Sequence, residues 1–337
     1  MAMKKVFITG VAGFLGSHLA DAFLAKGYQV AGIDNLLGGY RDNVPEGVEF
    51  YDFDLLELDR LQNIMRGCDV VYHTACTAYE GLSVFSPSLI VQNTTQIAVN
   101  AMTGAIQAGV PKFVHCSSMA RYGTQDRVPF TEDMICKPQD PYGIAKYGTE
   151  LLLQNLAEVH GVELVIAIPH NIIGPRQKYD DPFRNVASIM INLMLQGRQP
   201  IIYADGSQTR CFSDISDDVD CLVEFATNPK AVGQIFNIGP DENPVTVLEL
   251  AQTIAKLLDF KLEPVFMPGR PQEVKHANCS ANKIREYFGY ETKTSLEQSL
   301  QKQIDYIRSR GTKQFEYHLP LEIISDKTPK TWTNRLF

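Results

Sequence analysis

Short β-branched runs and amphipathic runs alternate through the first half of the 337-residue sequence, and that alternation leaves few folds open. KKVFITG reads as a strand, SHLADAFLAKG carries helical spacing and stops at Gly27, and YQVAGIDN is strand-like again. LDRLQNIMRG, CDVVYHTA, NTTQIAVNAMTGAIQAG and PKFVHCSS continue as helix, strand, helix, strand. YGTELLLQNLAEVHG and VELVIAIPH add a long helix and a further strand. Strands separated by helices pair in parallel through crossovers, and both faces of the sheet are then covered. The expectation is an α/β fold with a doubly wound parallel sheet.

The first strand-to-helix junction carries Gly10, Gly13 and Gly16 within ITGVAGFLGSHL. Glycines there permit a tight turn and close backbone approach to a phosphate, and the helix start offers free N–H groups to the anion. Asp34 ends the second strand 18 residues after Gly16. A carboxylate there accepts from an adenosine ribose and repels a 2′-phosphate, which favours NAD over NADP. Without the glycine turn, Asp34 would read as a turn residue before Asn35, and Asp54 as a strand-end cap. With it, the sheet is expected to be a Rossmann fold.

The pattern loosens beyond residue 170, at Pro175, Pro182 and Pro200. Residues 1–170 are expected to form the NAD-binding domain, with 207–245 returning to it through CFSDISDDVDCLVEFA and GQIFNIG. Residues 171–206 and 246–310 are expected to form a smaller C-terminal substrate-binding lobe, and 311–337 an extension packed on the body. That extension holds the only tryptophan and is too apolar for a disordered tail.

The net charge of −8 gives no electrostatic reason to expect nucleic acid or an anionic membrane. No stretch approaches the roughly 18 apolar residues of a membrane span, and the start shows no signal-peptide core. The seven cysteines are an odd number without a CxxC pair, which argues against a zinc site or a disulfide framework. A cytoplasmic location, no metal, no nucleic acid and no membrane partner are the expectations.

Tyr142 and Lys146 in DPYGIAKYGTE stand four residues apart at the start of a helix and share a face. A phenol of reference pKa about 10 is a poor base at neutral pH. A neighbouring ammonium and a cationic nicotinamide ring would favour phenolate, the base that alcohol oxidation needs. Ser118, 24 residues upstream at a strand end, can bond the same reacting oxygen.

With these residues in order, the chain resembles the extended short-chain dehydrogenase/reductases, in particular the NAD-dependent nucleotide-sugar epimerase/dehydratase family. The resemblance spans about residues 4–310 and includes TGVAGFLGSHL, IDN, CSSMARYG, PYGIAKYGTE, NIIGPRQ, YADGSQTRCFSDISDDV and GRPQEVKHANCSANKIREYFGY. It implies Ser118, Tyr142 and Lys146 as catalytic residues. It implies cofactor contacts from Gly10, Gly13, Phe14, Leu15, Gly16, Asp34, Asn35, Asp54, Leu55, Thr74, Ala75, Tyr142 and Lys146. For a nucleoside-diphosphate sugar it implies Asn171, Asn185, Tyr203, Arg210 and Arg270; planar guanidinium groups suit a diphosphate. It also implies a homodimer through helices at about 93–109 and 142–159.

The sequence departs from the family at several places. Ile168 replaces a common arginine, Pro169-His170 a common aromatic pair, and Tyr79-Glu80 residues that are small or apolar in relatives. Glu80 is a candidate sugar ligand or second base, with solvent exposure or pairing to a lysine as the bland alternative. His170 reads as a packed residue, and Cys76 and Cys116 as small buried ones.

The resemblance ties 4,6-dehydration to an Asp-Glu pair after the catalytic serine or threonine, and uronate decarboxylation to a glutamate at the second position. Here these positions hold Met119-Ala120. A 4-epimerase needs no further acid, so the expectation is a UDP-hexose or UDP-N-acetylhexosamine 4-epimerase. The alternatives are a 5,6-dehydratase, a 3- or 5-epimerase or a ketosugar reductase using Glu80, Cys116 or His170. From a different class, a non-catalytic NAD-binding scaffold is opposed by the intact Ser118, Tyr142 and Lys146. Arg121, in CSSMARYG, has no role that the sequence shows.

Overall fold

The computed structural model describes residues 4–337; residues 1–3, at the edge of the expected NAD-binding domain, lie outside it. Seven parallel strands form the central sheet: β1 (Lys5–Thr9), β2 (Gln29–Asp34), β3 (Glu49–Asp52), β4 (Val70–His73), β5 (Lys112–Cys116), β6 (Glu163–Pro169) and β7 (Ile235–Ile238). Their order is β7-β6-β5-β4-β1-β2-β3. The chain reverses direction across the sheet at β1, which pairs with both β2 and β4. An α/β doubly wound fold is therefore present, and its ligand crevice belongs at the carboxyl ends of the strands beside β1.

The period of two in β1 sets the two cores. Val6 and Ile8 join Leu19, Phe23 and the helix Ile215–Glu224 on one face. Phe7 points the other way, to Leu61, Met102 and Leu153. Val6, Phe7, Ile8, Leu19, Phe23, Leu61, Met102, Leu153 and, from that helix, Leu222 are fully enclosed, and each large side chain so buried contributes about 1.5–3 kcal/mol.

A third apolar cluster lies outside the sheet. It joins the helices Val186–Leu195, Val247–Leu258 and Leu296–Arg310 through Met190, Ile191, Leu250, Ile254, Leu300 and Ile304. Of residues 207–245, the helix Ile215–Glu224 packs on the helix Phe14–Ala25 and β7 enters the main sheet. Thr209–Arg210 instead pairs with Val245–Thr246 and His276–Ala277 in a small separate sheet. The helix anticipated from residue 93 is regular only over Ile97–Ala108, after a π turn at Gln92–Gln96. There the freed Asn93 carbonyl accepts from the Thr77 N–H at 3.1 Å. No helix among the described residues is long and apolar enough to cross a membrane, and no cluster of metal-ligating side chains occurs among them.

Candidate active site

A cavity of about 450 Å³ opens at the carboxyl ends of β1, β2, β4 and β5, and every site residue named from the sequence lines it. Gly10 turns the chain out of β1 at φ +73°, and its N–H donates to the Ile33 carbonyl at 2.8 Å. A Cβ on Gly16 would stand 2.1 Å from the Gly10 carbonyl oxygen, so the helix can rest on the turn only as glycine. No side chain caps the helix at Gly13, which leaves its first N–H groups open to an anion.

Asp34 is held at the end of β2. Its Oδ2 accepts from the Ala12 N–H at 2.9 Å and its Oδ1 from the Leu36 N–H at 2.7 Å. Burial raises its pKa, opposed by the N–H groups of Leu36, Ala12 and Gly13. The remaining lone pairs can accept from a ribose. Asn35 donates to Asp54 Oδ2 at 2.8 Å, and Asp54 Oδ1 accepts from the Leu56 N–H at 2.9 Å. Asp54 thus caps the strand end while also lining the cavity. Phe14, Leu15, Leu55, Thr74 and Ala75 complete this wall. The glycine cradle, uncapped helix start and anchored carboxylate fit a dinucleotide.

On the opposite wall, the helix Pro141–His160 starts with Asp140 accepting from the Gly143 N–H at 2.9 Å and with proline in its first turn. A Cβ on Gly143 would come 2.6 Å from the Ala120 carbonyl, so this end of the helix lies directly on the turn after β5. Tyr142 is thereby brought beside Ser118. The Lys146 Nζ sits 6.0 Å from the centre of the Tyr142 ring and donates to the Cys116 carbonyl at 2.8 Å. Burial pushes the Tyr142 phenol well above its ordinary value, and Cys76 adds to the rise. The Ser118 hydroxyl and Arg184 oppose it. Arg184 gave no sequence signal, because it lies in the irregular DDPFRN stretch.

The third group surrounds the remaining space. Asn171, at φ +47°, donates to the Cys211 carbonyl at 3.0 Å, and Asn185 Oδ1 accepts from Gln177 at 3.3 Å. Arg210 is held by the carbonyls of Thr209 (2.8 Å), Lys275 (3.3 Å) and Val274 (2.8 Å). Arg270 pairs with Glu273 at 2.8 Å and lies 4.6 Å over the Tyr203 ring. Its Nε is buried without a protein partner, a donor that an anion could take.

Tyr79 and Glu80, adjacent in sequence, have opposite fates. Tyr79 is buried and donates to Asp181 at 2.6 Å, so its hydroxyl is committed to the fold. The Glu80 side chain has no such bond and is exposed, but to the cavity rather than to bulk water. The protein around it raises its pKa, Asp140 adds to the rise, and Arg210 and Arg270 oppose it.

Of the other departures, Ile168 is fully enclosed core. His170 is buried with Nε2 against the Pro240 carbonyl at 3.0 Å, and burial lowers its pKa. The Cys116 thiol is pushed up to about 12, first by burial. Met119 and Ala120 are both buried in apolar clusters.

Arg121 turns away from the cavity. Its Nη1 lies 2.9 Å from Glu150, with both side chains almost fully enclosed, although the N–H is not aligned for a hydrogen bond. Its Nε donates to Cys136 at 3.0 Å, and Ser117 donates to Glu150. The pair braces the strand end that carries Ser118. Arg121→Leu leaves Glu150 buried and unpaired, and should cost about 3–5 kcal/mol of stability. Thermal or denaturant unfolding reads this directly, and adding Glu150→Leu should recover part of the loss.

Residues 6–239 match the model of the NAD dependent epimerase/dehydratase family. The chain is 30% identical over 316 residues to a UDP-glucose 4-epimerase of Mycolicibacterium smegmatis, covering 91% of this chain and 99% of that protein. It is 29% identical over 321 residues to a UDP-N-acetyl-alpha-D-glucosaminuronate decarboxylase of Bacillus cytotoxicus, covering 90% and 98%. The crystal structure of the Thermotoga maritima UDP-glucose 4-epimerase with UDP-glucose superposes with a TM-score of 0.85 at 30% identity, over 91% of this chain and 99% of that one. Each match leaves about a tenth of this chain without a counterpart. The glycine cradle, the Ser118–Tyr142–Lys146 wall and the match over more than half the chain agree: this protein is an enzyme of the NAD dependent epimerase/dehydratase family.

Proposed function

We propose that the protein interconverts C4 epimers of a nucleoside-diphosphate sugar, a UDP-hexose or UDP-N-acetylhexosamine. The observation that carries this reading is the turn after Ser118, where Met119 and Ala120 are buried apolar residues and no acid accompanies the serine.

NAD, held by the Gly10–Gly16 turn and Asp34, would supply a hydride acceptor that later returns the hydride to the opposite face of C4. The residues of this chain do the rest. Tyr142, as phenolate, takes the proton of the C4 hydroxyl while Ser118 bonds the same oxygen. Lys146, buried behind the ring, stabilises the phenolate charge. Arg210 and Arg270 hold the diphosphate while the oxidised sugar turns, and Tyr142 then gives its proton back to the C4 oxygen. One group thus acts as base and then as acid, and no second acid is required.

A second reading rests on Glu80. Among the lining residues it is the carboxylate without a hydrogen-bond or ion-pair partner: Asp34 and Asp54 are bonded and Glu273 is paired. Cys116 and His170, the other candidates for extra acid–base chemistry, are buried with ionisation disfavoured. A 5,6-dehydration or a 3- or 5-epimerisation would therefore fall to Glu80; a ketosugar reductase would consume added NADH.

The test is NMR of UDP-hexoses incubated with the enzyme in heavy water. The C4 epimer without deuterium at C3 or C5 is the expected product, and its absence sinks the 4-epimerase reading. Glu80→Gln should keep activity within about tenfold of wild type. A loss of about 10²–10⁴-fold, with deuterium incorporated by the wild type, would establish the second reading.

Ile144, Leu151, Leu152 and Val159 project outward from the helix Pro141–His160 and are about half exposed or more. Spaced by seven or eight residues, they form one apolar face, which supports a homodimer. A monomeric mass by light scattering would remove that assignment.

A further inference from the structure

The last 27 residues are irregular apart from one helical turn, Lys330–Thr333, yet they are tied to both halves of the molecule. On the side of the main sheet, Ser86 donates to the Pro320 carbonyl at 2.6 Å. The Glu322 carboxylate accepts from the N–H groups of Ser88 (2.9 Å) and Leu89 (2.8 Å), capping the helix Pro87–Val91. On the side of the lobe, the Glu316 N–H donates to the Asp180 carbonyl at 2.8 Å and Arg198 to the Leu336 carbonyl at 2.9 Å. The segment therefore crosses from one side of the cavity to the other.

Its path ends on the cavity wall. Trp332 is 3% exposed and donates from its indole to the Pro182 carbonyl at 3.2 Å. Its ring meets Phe183 at 5.5 Å and Phe85 at 6.0 Å between centres. The position of a Cβ on Gly81 lies 3.0 Å from the Arg270 guanidinium and 3.5 Å from the Trp332 ring edge. The indole and the Arg270 guanidinium thus both border Gly81, next to Glu80. The neighbouring Thr331 shares a 2.5 Å hydrogen bond with the Tyr203 hydroxyl, and Tyr203 in turn lies under Arg270. Trp332 and Phe337 both line the cavity.

We propose that residues 311–337 are part of the substrate site. Trp332 completes the apolar wall against which the nucleotide sugar packs beside Arg270, and Thr331 fixes Tyr203 under that arginine. This inference rests on the reading that Arg210 and Arg270 receive a nucleoside-diphosphate sugar. An aromatic wall beside guanidinium groups suits that ligand class, since the sugar ring and base present apolar faces and the diphosphate its charge. The segment touches Tyr203 and Gly81, on the side of Arg270, so the wall belongs to substrate selection rather than to cofactor binding.

Trp332 is the only tryptophan, so the intact protein reports on the segment by its own fluorescence. Titration of UDP-glucose into NAD-loaded enzyme should change the indole emission saturably, with a midpoint equal to the calorimetric Kd. Trp332→Ala should raise the KM for the sugar nucleotide about tenfold or more, with NAD affinity unchanged and Trp332→Phe near wild type. Calorimetric binding without a fluorescence change, or a Trp332→Ala variant that loses thermal stability but keeps its KM, would overturn the proposal. If neither UDP-glucose nor UDP-N-acetylglucosamine binds calorimetrically, the failure lies with the proposed function, and the wall falls with it.

Discussion

Tyr142→Phe should reduce turnover by about 10²–10⁴-fold while leaving the binding of NAD and of sugar nucleotide almost unchanged. The ring is buried against Ala120 and its hydroxyl is the one group removed, so the aromatic packing survives. Burial holds the free phenol well above its ordinary value, with the hydroxyl of Ser118 and the charge of Arg184 pulling the other way. The sign of the pH dependence follows. The active form is the deprotonated one and its pKa is raised, so kcat/KM should climb as pH rises and fall as the phenol is protonated. Positive charge supplied by the cofactor would move that rise to lower pH. The variant should lack the rising limb altogether. Calorimetric affinities measured with the rates separate lost chemistry from lost binding, and a variant that kept wild-type turnover would remove Tyr142 from the mechanism.

Gly16→Ala should raise the Kd for NAD by at least about a hundredfold, roughly 2.7 kcal/mol. The added methyl would meet the Gly10 carbonyl oxygen at 2.1 Å, and both partners are backbone, so no side chain can move aside. Either the helix Phe14–Ala25 lifts from the turn or the turn opens, and both displace the N–H groups proposed to receive the pyrophosphate. Overpacking of this kind also costs about 1–3 kcal/mol of stability. Calorimetry with NAD, paired with a circular-dichroism melt, distinguishes a damaged site from an unfolded chain. Wild-type NAD affinity in a folded variant would exclude the turn as the cofactor cradle.

How far the sequence could be read depended on how local each feature is. The alternation of strand and helix yielded the seven-stranded sheet because period two and period 3.6 are properties of a few consecutive residues. Tyr142 and Lys146 share a face because they are four apart in a helix. The difference between Tyr79 and Glu80 was not legible: it is made by Asp181, some hundred residues away, which takes the one hydroxyl and leaves the other group in the cavity. Arg121 had no visible role for the same reason, since its partner Glu150 lies on a helix that reaches it only through the fold. Arg184 and Trp332 sit outside any repeating pattern, and only packing brings them to the cavity.

By itself the sequence determined the β–α alternation, the glycine turn with its acidic partner at the end of β2, and the serine, tyrosine and lysine with no acid after the serine. These follow from backbone conformation and spacing within short segments, where each residue constrains its near neighbours. The tertiary structure alone decided which polar groups remain free for a ligand and which are consumed by the protein. It closed Arg121 upon Glu150, left Glu80 unpaired and brought Trp332 to the cavity wall that Arg270 also lines. A buried polar group must find a partner wherever the fold supplies one, and that partner is set by distance in space rather than along the chain.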